Sequence, residues 1–186
     1  MKTVTVFGSS LPGEGSTAYV EAQRLPYPIR TRTRFSEIVG ATGRAAGGRL
    51  IASAVEKADA AVAKRLRLKA GTPVVRLELL RQADGVPICA ATTWLPARRF
   101  ADAPAVYAAC RSMTKTLAHY GIEHYARHST RVTAAVVDAT DALRLALAAG
   151  RPILVIESVD TDQHGAPLLT TRARFAADRI ELIIET

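Results

Sequence analysis

The residues of this chain that could do chemistry are arginines and hydroxyls, and the chemistry they suit is the holding of a small anion. Arg34-Phe35-Ser36-Glu37 combines a guanidinium, a hydroxyl and the opening of a short helix, where orphan N–H groups favour negative charge. The preceding Arg30-Thr31-Arg32-Thr33-Arg34 alternates arginine along an extended segment, a pattern that grips one anion bidentately as readily as a phosphate backbone. Ser112-Met113-Thr114 opens a second short helix, running to about Tyr120, in the same way. Thr92/Thr93 and Thr170/Thr171 read as matching stages of two strands, so their hydroxyls could face one cleft. Residue types alone leave an anion pocket and ordinary helix caps both open.

Other chemistries lack their parts. His124 and His128 are four apart, the spacing of metal ligands on a helix, but Glu123 to Val137 is rich in Thr and Val and reads as a strand. His119 and His164 have no carboxylate at a ligand spacing, so no metal is expected. There is no GxSxG elbow, no P-loop and no GxGxxG, and no cofactor is expected. Cys89 and Cys110 read as core residues and form no CxxC.

Composition bounds the class. The 186 residues are 48% hydrophobic and 23% charged, ordinary for a folded domain. The N-terminus lacks an apolar signal core, and no apolar run reaches the ~18 residues of a membrane span, so a cytoplasmic protein without membrane contact is expected. The net charge of +8 comes from 25 basic against 17 acidic residues. Those positives are scattered, unlike the one-faced cluster of a nucleic-acid footprint.

The elements that must position these residues come as a repeat. Asp59 to Pro73 matches Asp138 to Pro152 at an offset of 79 residues, pairing Leu66 with Leu145, Gly71 with Gly150 and Glu78 with Glu157. Each copy predicts a helix opened by an Asp cap and closed by Gly, then an apolar strand, a tight turn and a returning strand that begins at Pro87 or Pro167. Glu78 and Glu157, at equivalent positions, read as structural. Two such units imply an α+β fold, an antiparallel sheet with these helices on one side. Upstream, residues 3–7 read as a strand, Ser16 to about Leu25 as a helix, Pro26-Tyr27-Pro28 as a break, Phe35 to about Thr42 as a helix, and Gly43 to Gly48 as a turn. The expected division is therefore 1–26 and 27–186.

From Tyr27 to Thr186 the order of motifs resembles the UTRA effector domain of GntR-type transcription regulators of the HutC subgroup, nearest to phosphonate-utilisation regulators. The matching pieces are Arg32-Thr33-Arg34-Phe35-Ser36-Glu37, Ala70-Gly71-Thr72-Pro73-Val74, Arg81-Gln82-Ala83-Asp84-Gly85-Val86-Pro87, Thr93-Trp94-Leu95-Pro96-Ala97, Ser129-Thr130-Arg131 and Arg174-Phe175-Ala176-Ala177-Asp178-Arg179. The resemblance implies a chorismate-lyase-like fold and a dimeric ligand sensor rather than an enzyme. It implies a ligand site at Arg34, Phe35, Ser36, Arg81, Thr93, Ser112, Thr171 and Phe175. Sugar-phosphate-sensing members carry a second Arg where Leu79 stands and acidic residues where Ala91 and Leu169 stand. Their loss points to a smaller phosphonate-like or phosphate-like anion as effector.

Residues 1–26 are too few for the winged helix-turn-helix of such regulators, so DNA contact is expected only through a separate or missing module. Val6-Phe7-Gly8-Ser9-Ser10 and Glu14-Gly15 instead resemble the opening of LOG-like nucleotide-processing proteins. A chorismate-lyase-like enzyme on the same fold and a LOG-like nucleotide enzyme fragment are the alternatives to a sensor.

Overall fold

The computed structural model describes residues 24–30 and 34–184. The expected strand at 3–7, the Ser16 helix apart from its end, and the LOG-like opening lie outside the described residues.

The first described element, β1 (Leu25–Pro28), corrects two expectations at once: helix does not reach Leu25, and Pro26-Tyr27-Pro28 is a strand. It pairs in parallel with β8 (Ile180–Ile183) in a two-stranded sheet, which buries Leu25 and Tyr27. Proline survives there because an edge strand can leave one N–H row unused.

Helix α1 (Phe35–Ala41) ends as expected, with Thr42 at its C-cap. Of the expected Gly43–Gly48 turn only the first part is a turn, because β2 (Ala46–Lys57) already contains Gly47 and Gly48. The repeat then appears twice. Its first copy is α2 (Ala60–Leu66), β3 (Pro73–Ala83) and β4 (Val86–Pro96). Helices α3 (Ala103–Cys110) and α4 (Met113–His119) lead to β5 (Tyr125–Val136). The second copy is α5 (Ala139–Leu145), β6 (Pro152–Asp162) and β7 (Pro167–Ala176).

Asp59 and Asp138 do cap their helices, accepting from the Val62 and Asp141 amides. The helices do not close on Gly, however. Arg67 and Ala146 take the left-handed conformation at the C-cap, and Gly71 and Gly150, four residues on, turn the chain into the strand with φ near +80°.

The six-stranded antiparallel sheet runs β2-β3-β4-β7-β6-β5, so the two copies meet where β4 pairs with β7. The repeat helices share one face, as expected, and they cross over: α2 packs on β7 and α5 on β4. Their apolar side chains sit with Val74, Leu80, Ala90 and Val155, while Leu77, Leu79, Cys89 and Ala91 point to the opposite face. That face is covered by α1, α3 and α4, so helices flank both sides.

The crossover is pinned by charge. Arg144 of α5 reaches Glu78 of β3 at 3.2 Å, and its repeat partner Arg65 of α2 reaches Glu157 of β6 at 2.9 Å. Both glutamates are structural, as read from their equivalence. Around Glu78 the pair grows into a buried network. Arg76 reaches Glu78 at 2.6 Å, the Thr92 hydroxyl donates to Glu78, and Arg174 donates to Thr92 at 2.7 Å and to Asp141 at 2.7 Å. In the other copy the positions of Asp141 and Arg174 are taken by Val62 and Trp94, which pack together.

Removing one member of a buried ion pair strands its partner and costs about 3–5 kcal/mol, whereas a matched apolar replacement can be neutral. Asp141→Val alone should therefore destabilise by about that amount in urea denaturation. Asp141→Val with Arg174→Trp, which copies the apolar half, should recover most of the loss. A double variant no better than the single one overturns this account of the network.

Candidate functional site

A cavity of about 420 Å³ opens on the sheet face that α1, α3 and α4 cover. Seven of the eight residues expected at a ligand site line it: Arg34, Phe35, Ser36, Arg81, Ser112, Thr171 and Phe175. Thr93 does not. It sits behind Thr171, the two hydroxyls 3.0 Å apart across the β4–β7 pair. The two threonine pairs are not matching stages either. With Glu78 opposite Thr92 and Glu157 opposite Arg172, Thr92 matches Arg172, while Thr93 faces Thr171 directly.

Each wall comes from an element fixed by the core. Alternation along β7 turns Leu169, Thr171, Ala173 and Phe175 to the cavity. Phe175 packs against Tyr27 of β1 with ring centroids 5.0 Å apart. Arg81 extends from β3 over the Phe35 ring at 5.7 Å. Ser112 lines the cavity while its hydroxyl caps α4, accepting from Lys115 N at 3.4 Å, so hydroxyl and cap turn out to be one residue.

The charges differ in their partners. Arg34 is paired with Glu37 at 2.6 Å, and its Nε is buried with no partner among the described residues. Arg127 donates to Asp160 at 2.8 Å. Arg81 takes part in no ion pair among the described residues. Burial opposes its charge, while the Cys89 thiol and the Tyr107, Tyr27 and Tyr125 hydroxyls, once ionised at alkaline pH, oppose its loss, so its pKa lies above the ordinary value. Arg111 and Lys115 stand exposed at the rim. The arrangement can bind an anion at Arg81 and stack or hydrogen-bond its remainder.

Sequence reading missed Tyr27, Tyr107, Tyr125, Arg127 and Asp160. Tyr27 was hidden by its flanking prolines. Arg127 and Asp160 become a pair only when β5 aligns with β6, and no local spacing carries that signal. The segment Glu123 to Val137, read as a strand, is one over Tyr125–Val136. No group of three possible metal ligands exists among the described residues. No described helix is long and apolar enough to cross a membrane.

A sheet of two helix-and-hairpin units carrying a cationic pocket is the build of a small-ligand-binding domain. The chain belongs to the UTRA domain family, which matches residues 41–181. It is 37% identical over 177 residues to the HTH-type transcriptional regulator RB1450 of Rhizobium meliloti, covering 95% of this chain and 72% of that one. It is 28% identical over 166 residues to the HTH-type transcriptional repressor PhnF of Mycolicibacterium smegmatis, covering 89% of this chain and 67% of that protein. The crystal structure of PhnF from Mycobacterium smegmatis superposes with a TM-score of 0.77 at 25% identity, over 88% of this chain and 72% of that one. The crystal structure of the PhnF effector domain gives 0.76 at 25% identity, over 87% of this chain and 98% of that one. The domain is thus the effector-binding domain of a GntR-type transcription regulator.

Cys89, behind Arg81, offers a pH test. Burial pushes its thiol up to about 11, from an ordinary 9.0. Below pH 9 the folded and unfolded thiols are both protonated and contribute no difference. Above it the unfolded thiol loses its proton first, so stability falls through the window up to about 11, by roughly 2–3 kcal/mol. Cys89→Ala should lose that part of the alkaline slope in denaturation curves at pH 8 to 11. An unchanged slope would refute it.

Proposed function

We propose that the cavity senses a small phosphate-like or phosphonate-like anion and that the domain reports its presence to a DNA-binding module. The observation that carries this reading is Arg81, a guanidinium lining the cavity with no carboxylate partner among the described residues. A charge drawn out of water without a counter-charge is costly, and a bound anion supplies one. Arg34, the Ser36 hydroxyl and Thr171 stand ready for the remaining oxygens. Leu169 in the lining offers no polar group to a sugar, which supports a compact ligand over a sugar phosphate.

The domain reads as a sensor and not as a catalyst. Asp160 is the one carboxylate among the described lining residues, and Arg127 holds it at 2.8 Å, which removes it as a free general acid or base. Sequence-specific DNA contact, on this reading, belongs to a winged helix-turn-helix outside the described residues, and the setting is the cytoplasm. Among the described residues β2 and β5 end the sheet with unpaired edges, and Val55, Val132 and Val136 are exposed along them. Pairing of such edges supports a homodimer.

Arg81→Ala should weaken binding of inorganic phosphate or methylphosphonate by ~1.5–3 kcal/mol, the range for a hydrogen bond to a charged group. Isothermal titration reads this as about tenfold or more in Kd. Equal affinities for the variant and the wild type would place the site elsewhere. Light scattering at micromolar chain should give twice the chain mass, and a monomer mass would remove the edge-paired dimer.

A further inference from the structure

We propose that the groove between α2 and the β5–β6 strands is a second anion site, one that takes a multiply charged small phosphate compound. It lies on the sheet face opposite the Arg81 cavity, encloses about 500 Å³, and does not depend on the effector reading above. Lys64 and Arg65 of α2 form one wall, Arg67 the rim, and Arg131 of β5 the floor. Four fixed positive charges thus face one carboxylate, Glu157, and the Ser129 hydroxyl stands among them.

The repeat itself shows which of these charges the fold requires. Arg65 has a counterpart, Arg144, and each makes the same crossover pair, to Glu157 and to Glu78. That cation is architectural. The others have no charged counterpart. The segment Lys64-Arg65-Leu66-Arg67-Leu68-Lys69 aligns with Leu143-Arg144-Leu145-Ala146-Leu147-Ala148, and Arg131 aligns with Ala52. An identical scaffold stands with Leu, Ala and Ala where this groove has Lys64, Arg67 and Arg131. The three cations are additions to the fold, and gathering them in one groove costs mutual repulsion that a bound polyanion relieves.

Their partners agree. Neither Lys64 nor Arg131 makes an ion pair among the described residues, and Arg67 donates only to the Gly165 carbonyl, at 3.1 Å. Arg65 is engaged by Glu157 through one Nη, and its Nε is buried with no partner among the described residues. The concave shape and the volume suit a nucleotide-sized or smaller ligand better than the convex surface of a duplex. Two or more phosphate groups match the three added charges.

The test titrates the full chain with inorganic pyrophosphate by calorimetry. Wild type is compared with the triple variant Lys64→Leu, Arg67→Ala, Arg131→Ala, which converts the groove into its own twin. The twin backbone shows that these residues fit, since Ala146 already holds the left-handed C-cap that Arg67 occupies. Measured in an Arg81→Ala background, which removes the other anion site, pyrophosphate binding should persist and should weaken at least tenfold when the triple variant is added. Unchanged affinity in the triple variant overturns the site, as does a loss that follows Arg81→Ala instead. Non-specific duplex DNA binding more tightly than pyrophosphate, and lost in the same triple variant, would make this face a nucleic-acid contact and overturn the small-ligand proposal. Phosphate binding at Arg81 is read separately, so either site can fail alone.

Discussion

The structure depends on an exchange of helices between two halves of one chain. Each copy of the repeat sends its helix across to the strand of the other, and Arg65–Glu157 and Arg144–Glu78 mark the two crossings. Each helix is buried against both halves: α2 packs on β7 of the other copy and on Val74 and Trp94 of its own, and α5 packs on β4 of the other copy and on Ile153 and Val155 of its own. Joining the hairpins through β4 and β7 completes both floors. This constraint sets the register. Glu78 must stand opposite Thr92 and Glu157 opposite Arg172 for both arginines to reach their glutamates at once. A one-residue slip would turn each glutamate to the wrong face.

The two halves meet this demand with different chemistry. One uses a charged set, Asp141, Arg174, Thr92 and Glu78, almost wholly removed from water. The other uses Val62 against Trp94. Burying charges carries a desolvation cost that only full pairing offsets, and here Arg174 reaches two acceptors on side chains and one on the backbone. The apolar half gives shape, with direction only from the Trp94 indole N–H donated to Glu56 at 2.9 Å. The ionic half adds direction, since Arg174 accepts only one geometry for Asp141 and Thr92 together. Both sets lie on the face that α2 and α5 cover, and the cavity is built on the other.

How much of this was legible in the sequence follows from how local each signal is. The repeat could be read because Asp caps, paired leucines and the Gly-x-Pro exits are short-range features that recur at one offset. The Phe35 helix and the β5 strand were readable for the same reason. Strand β1 was not, since prolines read as breaks and its partner β8 lies more than 150 residues away. The helix ends at Arg67 and Ala146 were missed because a left-handed C-cap on a non-glycine residue leaves no mark in the residue type. Most of the residues named through a family resemblance line the cavity. Its charge balance was not legible, because Arg127 and Asp160 meet only across a strand pair, and the alignment of Thr93 with Thr171 depends on the register of β4 against β7.

That charge balance is where the symmetry of the scaffold becomes useful by failing. By strand register, Arg81 of β3 and Asp160 of β6 are equivalent positions, and so are their neighbours on the outer strands, Gly48 and Arg127. In the second half Asp160 has its cation beside it at 2.8 Å. In the first half the side chain that would flank Arg81 is missing altogether. Added bulk at Gly48 would meet the Tyr107 hydroxyl and the Leu80 and Arg111 carbonyls at 3.6–3.8 Å, so there is room for little beyond a methyl group. Glycine thus does two things at once, letting α3 close over β2 and leaving Arg81 without an internal counter-ion. A symmetric pair of ion pairs would have made a quiet core. One neutralised end and one guanidinium without a carboxylate among the described residues give the cavity a polarity set by strand register.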